Sequence, residues 1–104
     1  MFVFCATINR YPTLKLNKLK ILNDPIYGFI KIPNSLLFDI IEHPYFQRLR
    51  RVSQMGLSNL VYPGANHTRF HHAIGCMHLM QNAVQVLRIK QIEISEEEAN
   101  ALYI

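Results

Sequence analysis

The residues from Asn66 to Met80, NHTRFHHAIGCMHLM, hold four of the chain's five histidines together with Arg69. A histidine is cheap at a surface, but in a core it must find a hydrogen bond or a metal. What chemistry these residues can do therefore depends on which of them face inward. At about 100° per residue, with Phe70 taken as zero, the apolar residues Ala73, Ile74, Cys76, Met77, Leu79, Met80, Val84, Val86 and Leu87 spread over most of a helix circumference. The narrow polar sector holds His71, His78, Asn82 and Gln85, which places those two histidines at the surface. Arg69 and His72 fall inside the apolar arc, three residues apart and so on one face. A guanidinium and an imidazole projecting together suit an anion held beside a metal. The plainer alternative for His72 is a hydrogen-bonded core histidine. His67 and His71 form a competing pair at the i, i+4 spacing of some zinc sites. However, His67 precedes the helix and the Glu of an HExxH motif is missing.

The elements that must position these groups follow from local signals. The run KIL-NDPIYG-FIKI reads as a β-hairpin, two β-rich segments around an Asn-Asp-Pro turn closed by Gly28. After Pro33, Asn34 or Ser35 caps a helix whose apolar stripe is Leu36, Leu37, Ile40 and Ile41. That helix stops at His43, because a residue before proline disfavours helical geometry. Pro44 suits the first turn of a second helix, PYFQRLRRV. A loop with Gly56 and a Pro63-Gly64 turn leads to a long helix from about Arg69 to about Ile89. Ser95 and Glu98 make a capping box that opens a last helix. The fold class is mostly α, with an N-terminal β-hairpin followed by helices.

The chain has 104 residues, enough for one domain and a modest core; such a chain buries roughly 65% of its unfolded surface. Half the residues are hydrophobic and only 17% are charged, which is apolar for so small a chain and points to faces that something else covers. Cys5 and Cys76 lie far apart without a CxxC spacing, as in a reduced intracellular protein. The opening MFVFCATINR lacks the basic region and apolar run of a signal peptide, and no segment approaches the ~20 apolar residues that span a bilayer. A cytoplasmic protein with no membrane partner is expected. The formal charge of +4 gathers in Lys15, Lys18 and Lys20 and in Arg48, Arg50 and Arg51, which would attract anions such as nucleotides or nucleic acid.

Three segments, ILNDPIYGFIKIP, HPYFQRLRRVSQMG and VYPGANHTRFHHAIGCMHLM, resemble in order and spacing the opening of HD-domain phosphohydrolases. The nearest branch is the deoxynucleoside triphosphate triphosphohydrolases, which include the vertebrate SAM-and-HD-domain enzyme. The resemblance covers residues 20–104, as the N-terminal part of such a domain truncated before its HD motif. Residues 1–19 are an N-terminal extension outside it. It implies that His72 is the first ligand of a catalytic divalent metal (Mn, Mg, Fe, Co or Zn), that Arg69 contacts substrate phosphates, and that Gln54 hydrogen-bonds the deoxyribose. It also implies an allosteric nucleotide site built from Lys20, Ile21, Asn23, Gln47 and Arg50, with Glu42 at the place of an Asp that reads guanine. The family has Glu where His71 stands and Ser at Ala73. The His-Asp pair that names the family, and a later Asp, do not occur in this sequence. A lone imidazole cannot complete the three- or four-ligand geometry of such sites. In the intact family the reaction is hydrolysis of a dNTP to deoxynucleoside and triphosphate, so this chain alone is expected to be inactive.

Two other functions compete: a small basic nucleic-acid-binding domain using Arg48, Arg50 and Arg51, and a nucleotide-sensing or oligomer-forming module without catalysis. The first lacks a basic reading helix or an aromatic platform. Burial suggests a further property. One hairpin and two brief helices cover only one side of the long helix, so self-association is expected through Met77, Met80, Val84 and Leu87.

Overall fold

The computed structural model describes residues 20–104. The N-terminal extension, with Cys5, Lys15 and Lys18, lies outside the described residues. Strand β1 (Ile21–Asp24) pairs antiparallel with β2 (Gly28–Lys31), in the register Leu22↔Ile30 and Asn23↔Phe29. The turn is built by Asp24, whose carboxylate accepts from the backbone N–H groups of Ile26 (2.8 Å) and Tyr27 (3.1 Å). Gly28 then closes it at φ 72°, a conformation open to glycine at no steric cost. Strand periodicity does the sorting: Ile30 is fully buried while Phe29 beside it is 74% exposed.

Helix α1 (Ser35–Glu42) is capped by Asn34, whose side-chain oxygen accepts from Leu37 N–H at 2.9 Å. Leu37 and Ile41, one turn apart, are its buried residues. The chain leaves the helix at His43 with extended ψ, as the following proline requires. Instead of one continuous second helix, the chain makes a single α turn, α2 (Pro44–Gln47), that tightens into a 3₁₀ turn over Arg48–Arg51. A second 3₁₀ turn, Ser58–Leu60, lies in the following loop.

Helix α3 (Arg69–Ile89) runs the full predicted length. It ends where Gln91 turns left-handed at φ 63°, letting Ile92 N–H reach back to Leu87 carbonyl at 3.1 Å. Helix α4 (Glu96–Tyr103) opens on the expected capping box of Ser95 and Glu98. Glu98 accepts from Ser95 N–H and Oγ, and this holds its carboxyl below the ordinary carboxylate range, the backbone hydrogen bond contributing most. Arg88 bridges α3 to Glu96 at 2.8 Å, and Asn34 donates to Asn100 at 2.5 Å, so α4 is tied to two elements.

The core is one cluster of Ile30, Ile32, Leu37, Ile41, Phe70, Ile74 and Met77. The rings of Phe46 and Phe70 meet edge-to-face with centroids 5.6 Å apart. Helix α3 is buried along one stripe, Phe70, Ile74, Gly75, Met77 and Val84, and not around most of its circumference. The apolar arc counted from sequence is wider than the surface the other elements cover. Arg69 and His72, expected to point inward, are therefore exposed. The same geometry corrects the expected contact face. Met77 and Val84 are buried and Met80 half-buried, while Leu87, as expected, and Leu79, Val86 and Ile89 remain at the surface. No helix among the described residues is long and apolar enough to cross a membrane.

Candidate metal and nucleotide site

The loop from Ser53 to Thr68 is pinned at its neck. Ser53 and Thr68 form an isolated antiparallel bridge, Gln54 N–H donates to His67 carbonyl (3.1 Å), and Arg69 N–H donates to Val52 carbonyl (2.8 Å). The backbone thus sets Gln54 beside the residue run that starts α3, and the two expected substrate residues, Gln54 and Arg69, emerge from adjoining stretches. Thr68 caps the helix by accepting from His71 N–H at 3.3 Å, and Thr68 N–H donates to His71 Nδ1. His71 is thereby a helix-capping residue, as its surface position allows.

His72 lies on the wall of a cleft of about 580 Å³ between the hairpin turn and the first turns of α3. The turn residues Asp24 to Tyr27 roof this cleft, and His67, His71, His72 and Cys76 line it. The roof is seated by Gly75. A Cβ there would stand 3.2 Å from Tyr27 Cε2, tighter than an ordinary carbon contact. The Tyr27 ring continues onto His78, with centroids 5.2 Å apart, which leaves that histidine half-buried instead of solvated. The open imidazole edge of His72 faces Cys76, with Nε2 and Sγ 3.6 Å apart. Among the described residues, no group of three His, Cys, Asp or Glu side chains stands close enough to hold a metal ion. The close donor pair there, the His72 imidazole and the Cys76 thiol, is too few ligands for a catalytic metal centre.

The expected nucleotide residues divide into two linked pairs. Lys20 forms an ion pair with Glu42 and lies 5.6 Å from the Phe38 ring centroid. Gln47 donates to Ile41 carbonyl at 2.7 Å and accepts from Arg50 Nε at 2.7 Å, and the Arg50 guanidinium sits 3.8 Å over the Phe70 ring. Because Ile41 adjoins Glu42, these contacts form one polar seam from the hairpin base to the start of α3. Ile21 and Asn23 are exposed on β1, Ile21 at the hairpin base and Asn23 beside the turn. Sequence reasoning passed over Cys76, although its spacing from His72 is the i, i+4 signal that finds helical side-chain pairs. The roles of Asp24, Tyr27 and Gly75 in shaping the cleft carry no such signal.

Comparison with known proteins gives the class. No family model matches the chain. The human deoxynucleoside triphosphate triphosphohydrolase SAMHD1 is 40% identical over 95 residues, 91% of this chain, and the zebrafish (Danio rerio) protein of the same name is 39% identical over 87. A crystallised phosphohydrolase from Bacteroides thetaiotaomicron is 51% identical and superposes over 83% of this chain with a TM-score of 0.79. The chain's homologues are HD-domain phosphohydrolases, a metal-dependent class. The human and zebrafish relatives among them carry the name deoxynucleoside triphosphate triphosphohydrolase, and the chain matches one stretch of each. It spans 15% of the length of the human protein and 21% of the Bacteroides chain.

Proposed function

We propose that this stretch supplies the substrate-facing half of a dNTP triphosphohydrolase site, and that the chain alone is inactive. His72 would give one ligand to a divalent metal of the Mn, Mg, Fe, Co or Zn class, Arg69 would meet the phosphates, and Gln54 the deoxyribose. When bound, the metal polarises a phosphoryl oxygen and lowers the pKa of a water. Arg69, exposed beside the cleft, offers a forked cation that matches phosphate oxygens. The observation that carries this reading is identity to named triphosphohydrolases through the very segments that build the cleft. The test has two arms. With each of the four dNTPs and Mn²⁺, Mg²⁺ or Co²⁺, the chain alone should release no triphosphate. Residues 20–104 grafted into the Bacteroides phosphohydrolase in place of its own stretch should retain hydrolysis and lose it on His72→Ala. A folded chimera without activity, or turnover by the chain alone that vanishes with His72→Ala, would refute the corresponding arm.

A nucleotide-binding role for the polar seam is the second reading, supported by the Lys20–Glu42 ion pair and, next to it in sequence, the hydrogen bonds that link Ile41, Gln47 and Arg50. GTP or dGTP should bind weakly, Arg50→Ala should abolish binding, and Arg51→Ala should change it little. Equal loss from both, with a steep salt slope on DNA, would favour nucleic acid. Self-association is the expected state of the isolated chain, now through Leu79, Val86 and Ile89, which are 50% or more exposed. A monomer at all concentrations in light scattering, without ANS binding, would exclude it.

A further inference from the structure

We propose that Cys76 is a metal ligand, and that with His72 it forms a two-donor clip selective for thiophilic divalent ions such as zinc and cobalt. The inference shares His72 with the function proposed above but needs neither substrate nor turnover. His72 and Cys76 stand one helical turn apart on α3, both exposed, and both line the same cleft. Cys76 is a free thiol. The decisive quantity is the separation of the donor atoms. A tetrahedral ion bound at about 2.3 Å by sulfur and about 2.05 Å by imidazole nitrogen holds those two atoms about 3.6 Å apart. The distance from His72 Nε2 to Cys76 Sγ is 3.6 Å. The donors therefore already stand at the spacing the ion imposes.

Such a clip differs in character from an all-oxygen and imidazole site. Thiolate selects zinc, cobalt and similar ions, whereas magnesium and manganese favour oxygen donors. On binding, the Cys76 S–H bond breaks, its proton leaves to solvent, and the sulfur–metal bond forms. The remaining two positions stay open to water or to an oxygen donor entering the cleft. Of the other donors on the cleft lining, His71 uses Nδ1 to cap α3 and Asp24 uses Oδ1 to hold the hairpin turn, while His67 lies on the same wall. The distance alone would also suit a plain S–H···N hydrogen bond, so the test must detect metal at sulfur.

Cobalt(II) titrated into the full chain under reducing conditions should give a sulfur-to-cobalt charge-transfer band in the near ultraviolet, saturating at one ion per chain. Cys76→Ser should abolish the band and Cys5→Ser should leave it unchanged, since Cys5 is the chain's other thiol. His72→Ala should weaken binding by roughly tenfold or more, at least the loss that even an outer-shell change commonly causes. Zinc should displace the cobalt stoichiometrically, and excess magnesium or manganese should not. Circular dichroism on each variant establishes that it is folded. A folded chain with no band, a band that survives Cys76→Ser, or a band insensitive to His72→Ala would overturn the proposal. Loss of dNTP hydrolysis in the chimera would leave it untouched, because the clip is read by spectrum and not by activity.

Discussion

Ile30→Ala in the hairpin offers a sharp test of how the cleft is roofed. Ile30 is completely buried in the central cluster, while Phe29, the next residue along β2, is 74% exposed. Truncating Ile30 removes three carbons from the core, about 2.4 kcal/mol of transfer free energy at ~0.8 kcal/mol each. The cavity left behind raises the cost to about 3–4 kcal/mol, within the range seen for such truncations. Domains of about a hundred residues hold only roughly 5–15 kcal/mol, so the loss is a large fraction of the whole. At about 4–8 °C per kcal/mol, the melting temperature should fall by at least ~12 °C. Phe29→Ala, one position away, should cost no more than about 0.5 kcal/mol. Urea and thermal unfolding followed by circular dichroism, at one fixed dilute concentration, measure both. The contrast depends on register, since a slip by one residue exchanges the two faces of a strand. Equal losses at positions 29 and 30 would mean the pairing Leu22↔Ile30 is wrong, and with it the placement of Asp24 to Tyr27 over His72.

Other outcomes follow from the helix ends. Gln91 holds a left-handed conformation that costs an L side chain roughly 1–2 kcal/mol, so Gln91→Gly should stabilise the chain by up to about 1 kcal/mol in urea unfolding. The Glu98 carboxyl is depressed in the folded state, so its contribution is present above its ordinary value of 4.5 and is lost as pH falls through the lower, folded value. Amide exchange in α4 should accelerate over that acid window, relative to α3, and Glu98→Gln should remove the pH-dependent part of the difference. Unchanged relative protection across the window would show that the capping box does not hold α4.

The elements with local causes were legible from sequence. Asn34 before Leu37, His43 before Pro44, and Ser95 three residues ahead of Glu98 each announce a helix end by a hydrogen bond or a steric conflict within a few residues. The long helix declared both its length and its start. What sequence could not supply was coverage. A run of apolar residues on α3 says which positions tolerate burial, but the partners that bury them come from distant segments. His72 and Arg69 were accordingly assigned inward when they face outward. The same limit hid the neck at Ser53 and Thr68, a backbone pairing with no periodic trace, and the seat of Tyr27 on Gly75. Of the candidate site, the residue types were readable and, through the family resemblance, their roles. The clustering of Gln54 with the start of α3 was not, because it depends on that pairing.

The bridge between Ser53 and Thr68 also separates two kinds of evolutionary freedom. Residues 54–67 leave and return through a closed neck, so their length can change without altering where Gln54 and Arg69 meet the scaffold. Doubling such a loop costs only about 0.6 kcal/mol in closure entropy. Lineages could therefore lengthen, shorten or re-sculpt this segment, with its exposed Leu57, Leu60, Val61 and Tyr62, while the positions at its base stay fixed. Insertions should accumulate there, and substitutions that break the neck should be purged even where they touch no ligand.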